Sequence, residues 1–557
     1  MSDTPSAAAA PAAGSAAPPQ PKQDAAAVSS GPRQQGKRPF KQNGGGQNKH
    51  NKKKMRKRER DMKSGSHEEI LALDIKALLE SQKSGESEDA SAAAEEETLP
   101  EQGSHIDVEV VELSSTGDGL AQLPGSKQVY VVPFSVPGDI VKVKAYRHMQ
   151  EGYTIADFIS IVKPSPLRDD SRINCKYFAT CSGCQFQMLD YEEQLRLKRR
   201  IDTIGSPLKF GYRTKLTPHF DGPSGWSRGK NPFTARPPIG YMPKGSRKTI
   251  DIEDCPIGTD AVRVGMKKER ERMETEFNKY TRGSTILLRE STKRSDSHTD
   301  YKTCVTDNKG MSTEYIDDFV FHNPAGSFFQ NNNSILPPFT DYIRQHILPK
   351  SNSDPSSTPI KYLVDAYSGS GLFTITLSSQ FKQSVGIDIA EQSIEYARKN
   401  AEANGLPPSQ AKFIAADANE LFSSLEGYPP DETVVMLDPP RKGCDSNFIN
   451  QLLKFGPKRV VYVSCNVHTQ ARDVGHLVRG ETGEQAVAEG VVAPAEGSNK
   501  KVRYDIESLI GFDFFPQTGH VEGVAVLNRV DGEVESQTAE MKDVGGETTQ
   551  EPVTQAA

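Results

Sequence analysis

Two rhythms of apolar residues divide the chain. Between Ser104 and Lys163, short β-rich runs at Ile106–Val111, Val129–Val132 and Ile140–Val143 alternate with turns, Thr116-Gly117-Asp118-Gly119 and Val136-Pro137-Gly138-Asp139. Short strands at that spacing predict a small closed β-barrel, a module that often binds RNA. From Ile360 the pattern becomes strand, loop and helix in repetition, with apolar runs at Tyr362–Val364, Val385–Ile387, Lys412–Ile414, Val434–Leu437 and Val460–Val463. Runs that are apolar throughout are covered on both faces, which predicts an α/β, doubly wound, mostly parallel sheet. Ligands of such a sheet bind at the carboxyl ends of its strands, and each polar motif discussed below directly follows one of these runs. The stretch from Pro166 to about Glu314 mixes short β-like runs with a charged helix near Met266–Tyr280, an α+β region whose topology the pattern leaves unassigned. Ahead of the barrel, Leu71, Ile75, Leu78 and Leu79 share one face of an amphipathic helix, which fits ordinary packing better than docking to a partner.

Composition limits how much of the 557 residues can fold. Residues 1–65 are Ala, Pro, Gly, Gln and Lys with almost no large apolar side chain, too little burial to offset backbone entropy, and the acidic, Thr/Gln-rich residues 531–557 read the same way. The resulting division is a basic tail (1–65), a linker with the amphipathic helix and an acidic block (66–103), the barrel (104–165), the α+β region (166–330), the sheet domain (331–530) and a second tail. The net charge of -6 excludes a uniformly basic nucleic-acid binder, yet Lys52, Lys53, Lys54, Arg56, Lys57, Arg58 and Arg60 form a dense cluster. Attraction to RNA phosphates, a nuclear import signal and a solubilising tail all fit that cluster. The sequence shows neither a membrane-spanning run nor a signal peptide, so an intracellular protein is expected, with nucleus, cytoplasm and mitochondrion all open. Seven cysteines in such a compartment are expected to be catalytic, ligating or buried rather than disulfide-paired.

The first strand of the sheet runs into Asp365-Ala366-Tyr367-Ser368-Gly369-Ser370-Gly371, and the second ends at Asp388. A Gly-rich turn lets backbone approach a ligand closely, and an acidic side chain after the second strand can hold two ribose hydroxyls. A dinucleotide fingerprint would place a third Gly where Thr374 stands, and a P-loop would need Gly-Lys-Ser/Thr, which is absent. A nucleoside cofactor without phosphate, S-adenosylmethionine, needs neither, and is preferred over a nicotinamide. Asp417, at the end of the third strand, is within reach of an adenine.

Two further strand ends carry the chemistry. Asp438-Pro439-Pro440-Arg441 follows the fourth strand, where the prolyl pair stiffens the loop and holds Asp438 beside a transferring methyl. Cys465, in Ser464-Cys465-Asn466, follows the fifth; a rim position suits a nucleophile better than a buried structural thiol. Uracil C5 is a poor nucleophile, so its methylation requires prior addition of a nucleophile at C6, and a thiolate helped by Arg441 or Lys442 performs this well. A base must then take the C5 proton. Phe514-Phe515-Pro516-Gln517-Thr518-Gly519-His520-Val521-Glu522 offers Glu522, the preferred candidate, and His520, which reads equally as a surface or orienting residue. The alternatives are an amino-group RNA methyltransferase, since Asp-Pro-Pro resembles loops that present a carbonyl to an exocyclic amine, and an RNA-folding chaperone in which catalysis is dispensable.

Together, the Asp365–Gly371 turn, the Asp438–Arg441 loop, Ser464-Cys465-Asn466 and the Pro516–Glu522 stretch resemble the RNA 5-methyluridine methyltransferase family, over nearly the whole folded body. The resemblance implies a Rossmann-like class I methyltransferase sheet, a TRAM-like barrel, Cys465 as nucleophile and Glu522 as base, with Gln330, Tyr367, Asp388 and Asp438 contacting S-adenosylmethionine. It implies an RNA partner, with the T-loop uridine 54 of tRNA as target, and a monomer is expected. The basic tail and a polar insertion at Gly480–Lys501 bring the chain nearest to the fungal, tRNA-acting members. Cys175, Cys181 and Cys184 are spaced C-x5-C-x2-C, with Cys255 later in the chain. Some family members hold a [4Fe–4S] cluster in this arrangement; the x5 gap is unusual for a zinc ribbon, which puts iron–sulfur ahead of zinc or plain buried thiols.

Overall fold

A computed structural model describes residues 65–84, 99–149, 151–198, 202–222, 231–295, 300–353, 357–417, 421–422, 425–481 and 502–530. The expectations for the two tails, the basic cluster, the acidic block and most of the 480–501 insertion lie outside these residues.

The barrel is present and closed. Its strands are β1 (His105–Leu113), β2 (Gly119–Gln122), β3 (Val129–Val132), β4 (Ile140–His148) and β5 (Tyr153–Lys163), joined in the order β1-β2-β3-β5-β4. Val108, Val110, Ala121, Tyr130, Val132, Val141, Val143 and Ala156 fill its interior. The amphipathic helix spans His67–Ser84 and packs on the outside of this barrel. Leu71, Ile75 and Leu78 meet Leu120, Val129, Val131 and Tyr153, Asp74 accepts hydrogen bonds from Ser115 N (2.7 Å) and Oγ (2.8 Å), and Leu79 is partly buried. Packing, not an exposed docking face, is what this helix does.

In the middle region the charged helix runs Asp260–Glu276, continued by a 3-10 turn at Phe277–Lys279, and so begins a turn and a half earlier than expected. Its Val262, Met266 and Met273 lie on one stripe, packed against Leu216, Phe220 and Leu288. Short antiparallel pairings make up the rest, including the hairpin Met311–Ile316 with Phe319–Pro324.

The large sheet has eight strands. Ala411–Ala415, Gln383–Asp388, Tyr362–Ala366, Thr433–Leu437 and Arg459–Ser464 are parallel neighbours in that order. Glu522–Arg529 then joins antiparallel to Arg459–Ser464, and Tyr504–Phe512 joins it in turn. The outermost strand is Thr203–Ile204, so the middle region contributes an edge to a sheet that the sequence confines to 331–530. Side chains alternate between two cores. Leu363, Val434, Met436, Val461 and Val463 face one, against the helices Leu336–His346 and Leu372–Leu377; Val364, Val435, Leu437, Val460 and Tyr462 face the other, against Ser446–Phe455 and Val467–Arg479. Burial of both faces is why these strands read as unbroken apolar runs. No helix among the described residues is long and apolar enough to cross a membrane.

Candidate active site

Strand register sets the rim. Leu437 lies beside Tyr462, which puts Asp438 just beyond the sheet next to the end of Arg459–Ser464. Ser464 pairs with Gly523 on the antiparallel strand, so the next residue of one, Cys465, comes opposite the preceding residue of the other, Glu522. An antiparallel neighbour is what allows a base at a strand's start to meet a nucleophile at a strand's end.

The four polar groups gathered there perturb one another. Burial pushes the Cys465 thiol up to about 11, with Glu522 adding to the rise and the Arg441 guanidinium opposing it by charge and by a hydrogen bond. Glu522 is 2 % exposed; burial, then Asp438, raises its carboxyl well above the usual range, again against Arg441. Asp438 is raised to about 7 by burial and by Asp365. Carboxyls whose affinity for a proton is raised by burial beside a thiol are groups able to take up and release one. His520 is exposed, and partial desolvation, then the charges of Arg441, Lys198, His67 and Arg213, pull its imidazole down to about 4.

The turn that leads into Glu522 is held in an uncommon conformation. Gln517 has φ +73°, and Gln194 secures it by accepting from its backbone N (3.1 Å) and donating to its Oε1 (3.1 Å). Nearby, the Lys198–Asp513 ion pair is buried at 2.7 Å, with the Tyr191 hydroxyl donating to the same carboxylate at 2.9 Å. A left-handed non-glycine persists only where neighbours over-determine it, and these contacts come from the helix Tyr191–Leu197 of the middle region.

At the Gly-rich turn, Asp365 is buried, and its Oδ2 accepts from Thr374 N (2.9 Å) and Oγ1 (2.6 Å) while its Oδ1 has no partner. Ser368 Oγ is likewise buried and unpartnered. Asp388 is fixed by Gly369 N at 3.0 Å and Ala390 N at 2.8 Å. At Gly369, φ +53°, a Cβ would meet nothing within 4 Å, so the turn opens onto free space. Orphaned acceptors around an open glycine turn fit a ligand with an amino group and hydroxyls. Ile389, 71 % exposed beside Asp388, adds a bare apolar surface. Tyr367 also has positive φ, +66°, and its ring points to Phe448, 5.4 Å between centroids, beneath the 438–444 loop. Asp417 stands exposed past the third strand.

Gln330 is buried in a loop tied in both directions. Thr214 N donates to Asn331 O (2.9 Å) and Arg289 to Asn331 Oδ1 (3.0 Å), while Asn332 Nδ2 donates to Ser206 Oγ (3.1 Å) and Phe514 O (3.2 Å). The polar run Asn331-Asn332-Asn333 between bulky apolar residues was the available sign of such a loop.

Several observations converge on one family. The model of the tRNA (uracil-5-)-methyltransferase family matches residues 306–487, and that of the tRNA (uracil(54)-C(5))-methyltransferase TRAM domain matches 106–167, the barrel just described. The tRNA (uracil(54)-C(5))-methyltransferase of Schizosaccharomyces pombe is 41% identical over 495 residues, covering 85% of this chain and 86% of its own. This chain belongs to the tRNA (uracil-5-)-methyltransferase family. The Saccharomyces cerevisiae relative of the same description is 37% identical over 494 residues, covering 76% and 73%. The crystal structure of Pyrococcus abyssi tRNA (uracil-54, C5)-methyltransferase with S-adenosyl-L-homocysteine superposes with a TM-score of 0.53 at 25% identity, covering 76% of this chain and all of that one. Family membership sets aside the amino-group alternative, in which Cys465 would be idle.

The four cysteines of the spaced motif come into one neighbourhood. Cys184 and Cys255 each feel the charge of the other cluster thiols, and burial pushes both up to about 12. All seven cysteines are free. Among the described residues, no three His, Cys, Asp or Glu side chains are grouped closely enough to hold a single metal ion.

Proposed function

We propose that this methyltransferase transfers a methyl group from S-adenosylmethionine to C5 of uridine 54 in tRNA through a covalent bond from Cys465 to C6. The observation that carries the reading is the meeting of Cys465, Glu522, Asp438 and Arg441 at one rim beside the open glycine turn. Bound in that turn, S-adenosylmethionine would supply an electrophilic methyl; Asp388 would hold its ribose, Asp365 and Asp438 its cationic end, and Gln330 and Tyr367 would complete the cradle. The Cys465 thiol gives up its proton to solvent, Arg441 stabilises the thiolate, and the thiolate adds to C6, leaving electron density on C5 and O4. Once C5 carries the methyl, Glu522 takes its proton and the Cys465–C6 bond breaks, restoring the ring double bond and releasing the thiolate. Burial of Glu522 suits this order, because a carboxyl kept from water is a stronger base when ionised.

Cys175, Cys181, Cys184 and Cys255 suit a [4Fe–4S] cluster better than one ion, since a cubane anchors each thiolate on a separate iron. Such a cluster would act as a cross-link in the middle region; methyl transfer moves no electron. Iron and sulfide analysis of anaerobically purified protein checks it, and a colourless, iron-free sample overturns it. A tRNA substrate implies an intracellular enzyme, and we read it as a monomer. The test of function is mapping of 5-methyluridine in tRNA from cells with and without the protein. Loss at position 54 supports the reading; unchanged modification there refutes it.

A further inference from the structure

The loop 438–444 is gripped almost wholly by the helix that follows the nucleophile. Asn466 Nδ2 and Thr469 Oγ1 donate to the Arg441 carbonyl at 3.0 and 3.2 Å. One turn further, Arg472 Nη2 donates to the carbonyls of Lys442 (3.0 Å) and Cys444 (3.1 Å). Asp473 accepts from Cys444 N (2.8 Å), from the Tyr462 hydroxyl (2.7 Å) and from Arg472 Nε (2.8 Å). Positions 466, 469 and 473 are three and four apart, so a single face of Val467–Arg479 reads the loop's backbone. The fit is close: at Gly443, φ +75°, a Cβ would lie 2.5 Å from Asp473 Oδ2 and 3.1 Å from Thr469 Cβ.

Such a grip exceeds what closing a surface loop requires. The Asp473 side chain is only 1% exposed, and its charge is offset by an arginine that itself spends two donors on main-chain carbonyls. The loop it fixes carries the guanidinium that reaches the thiol. We propose that Arg472 and Asp473 are positioning residues that lock the 438–444 loop so that Arg441 stays against Cys465. They touch neither reacting atoms nor cofactor, and the inference rests on the reading of Cys465 as nucleophile. The charged groups facing the thiol are Glu522 from the antiparallel strand and Asp438 and Arg441 from the loop; His520 shares the Arg441 charge on the same rim. Of these, only Arg441 favours the thiolate, so its displacement should lower the thiolate fraction, and the rate of addition with it, by one factor at every pH below the thiol's own titration.

The test uses the full chain with tRNA containing 5-fluorouridine and S-adenosylmethionine, reading the rate of the denaturation-stable adduct across pH. Arg472→Met should slow adduct formation about tenfold near neutral pH, the size of one lost charge-assisted hydrogen bond. The deficit should keep one size over roughly pH 7 to 9, where thiolate is scarce in both proteins, and iodoacetamide alkylation of Cys465 in the RNA-free protein should slow by the same factor, while KM for S-adenosylmethionine stays unchanged and Arg472→Lys restores part of both rates. Should Arg472→Met fold poorly, Thr469→Val, which removes one bond to the Arg441 carbonyl, should show the same paired deficit in adduct formation and alkylation at smaller size. Adduct formation slowed while alkylation of Cys465 keeps its wild-type rate, or no deficit at all, overturns the positioning role. Cys465→Ala should abolish the adduct in every background; an adduct that persists without Cys465 would instead overturn the nucleophile reading.

Discussion

Replacing Glu522 by Gln separates the two halves of the proposed reaction. The side chain is 2 % exposed, so the amide occupies the same volume and no bulk water stands by to act as base. General-base catalysis contributes a factor of about 10² to 10⁴, and turnover of Glu522→Gln should fall by that much. Addition should not suffer, because the Glu522 charge raises the Cys465 thiol and its removal favours the thiolate. The enzyme should therefore stop after methyl transfer, still bonded to ordinary tRNA. Denaturing gels with methyl-labelled S-adenosylmethionine would show one labelled protein–tRNA adduct per enzyme, formed at close to the wild-type rate. Turnover within a few-fold of wild type would refute Glu522 as base, and loss of turnover with no adduct would move it to an earlier step.

Because burial holds the free thiol at about 11, alkylation of Cys465 by iodoacetamide in the RNA-free protein should rise about tenfold per pH unit over roughly pH 7 to 9; a plateau in that range would contradict it. Asp388→Ala removes the carboxylate that ties Gly369 N and Ala390 N and should raise KM for S-adenosylmethionine about 10- to 100-fold with KM for tRNA unchanged, as titration of each substrate would show. Ile75→Ala, at a side chain 3% exposed against the barrel, should cost about 2 to 5 kcal/mol in denaturant unfolding, and a cost near zero would mean that the helix is not docked.

The catalytic rim was legible because parallel strands buried on both faces have an unmistakable pattern, and polar residues that interrupt it fall at strand ends. Asp388, Asp438 and Cys465 were found that way. Glu522 was harder, since it opens an antiparallel strand rather than ending a parallel one. Gln330 is reached only through the family resemblance, because it lies in a loop with no period, and the edge strand Thr203–Ile204 escapes because it is two residues long, too short to show one. In the barrel, β2 holds a glycine among four buried residues and gives no alternation to read. Arg472 and Asp473 look like ordinary charges on a helix, because their partners are main-chain atoms of a loop some thirty residues earlier.

Mass spectrometry of the adduct formed with 5-fluorouridine-containing tRNA bears most directly on the account. Fluorine at C5 leaves no proton for Glu522 to remove, so the account predicts a single cross-linked peptide, carrying the methylated nucleotide on Cys465. A cross-link at any other residue, or methylated product released with no covalent species, would contradict it.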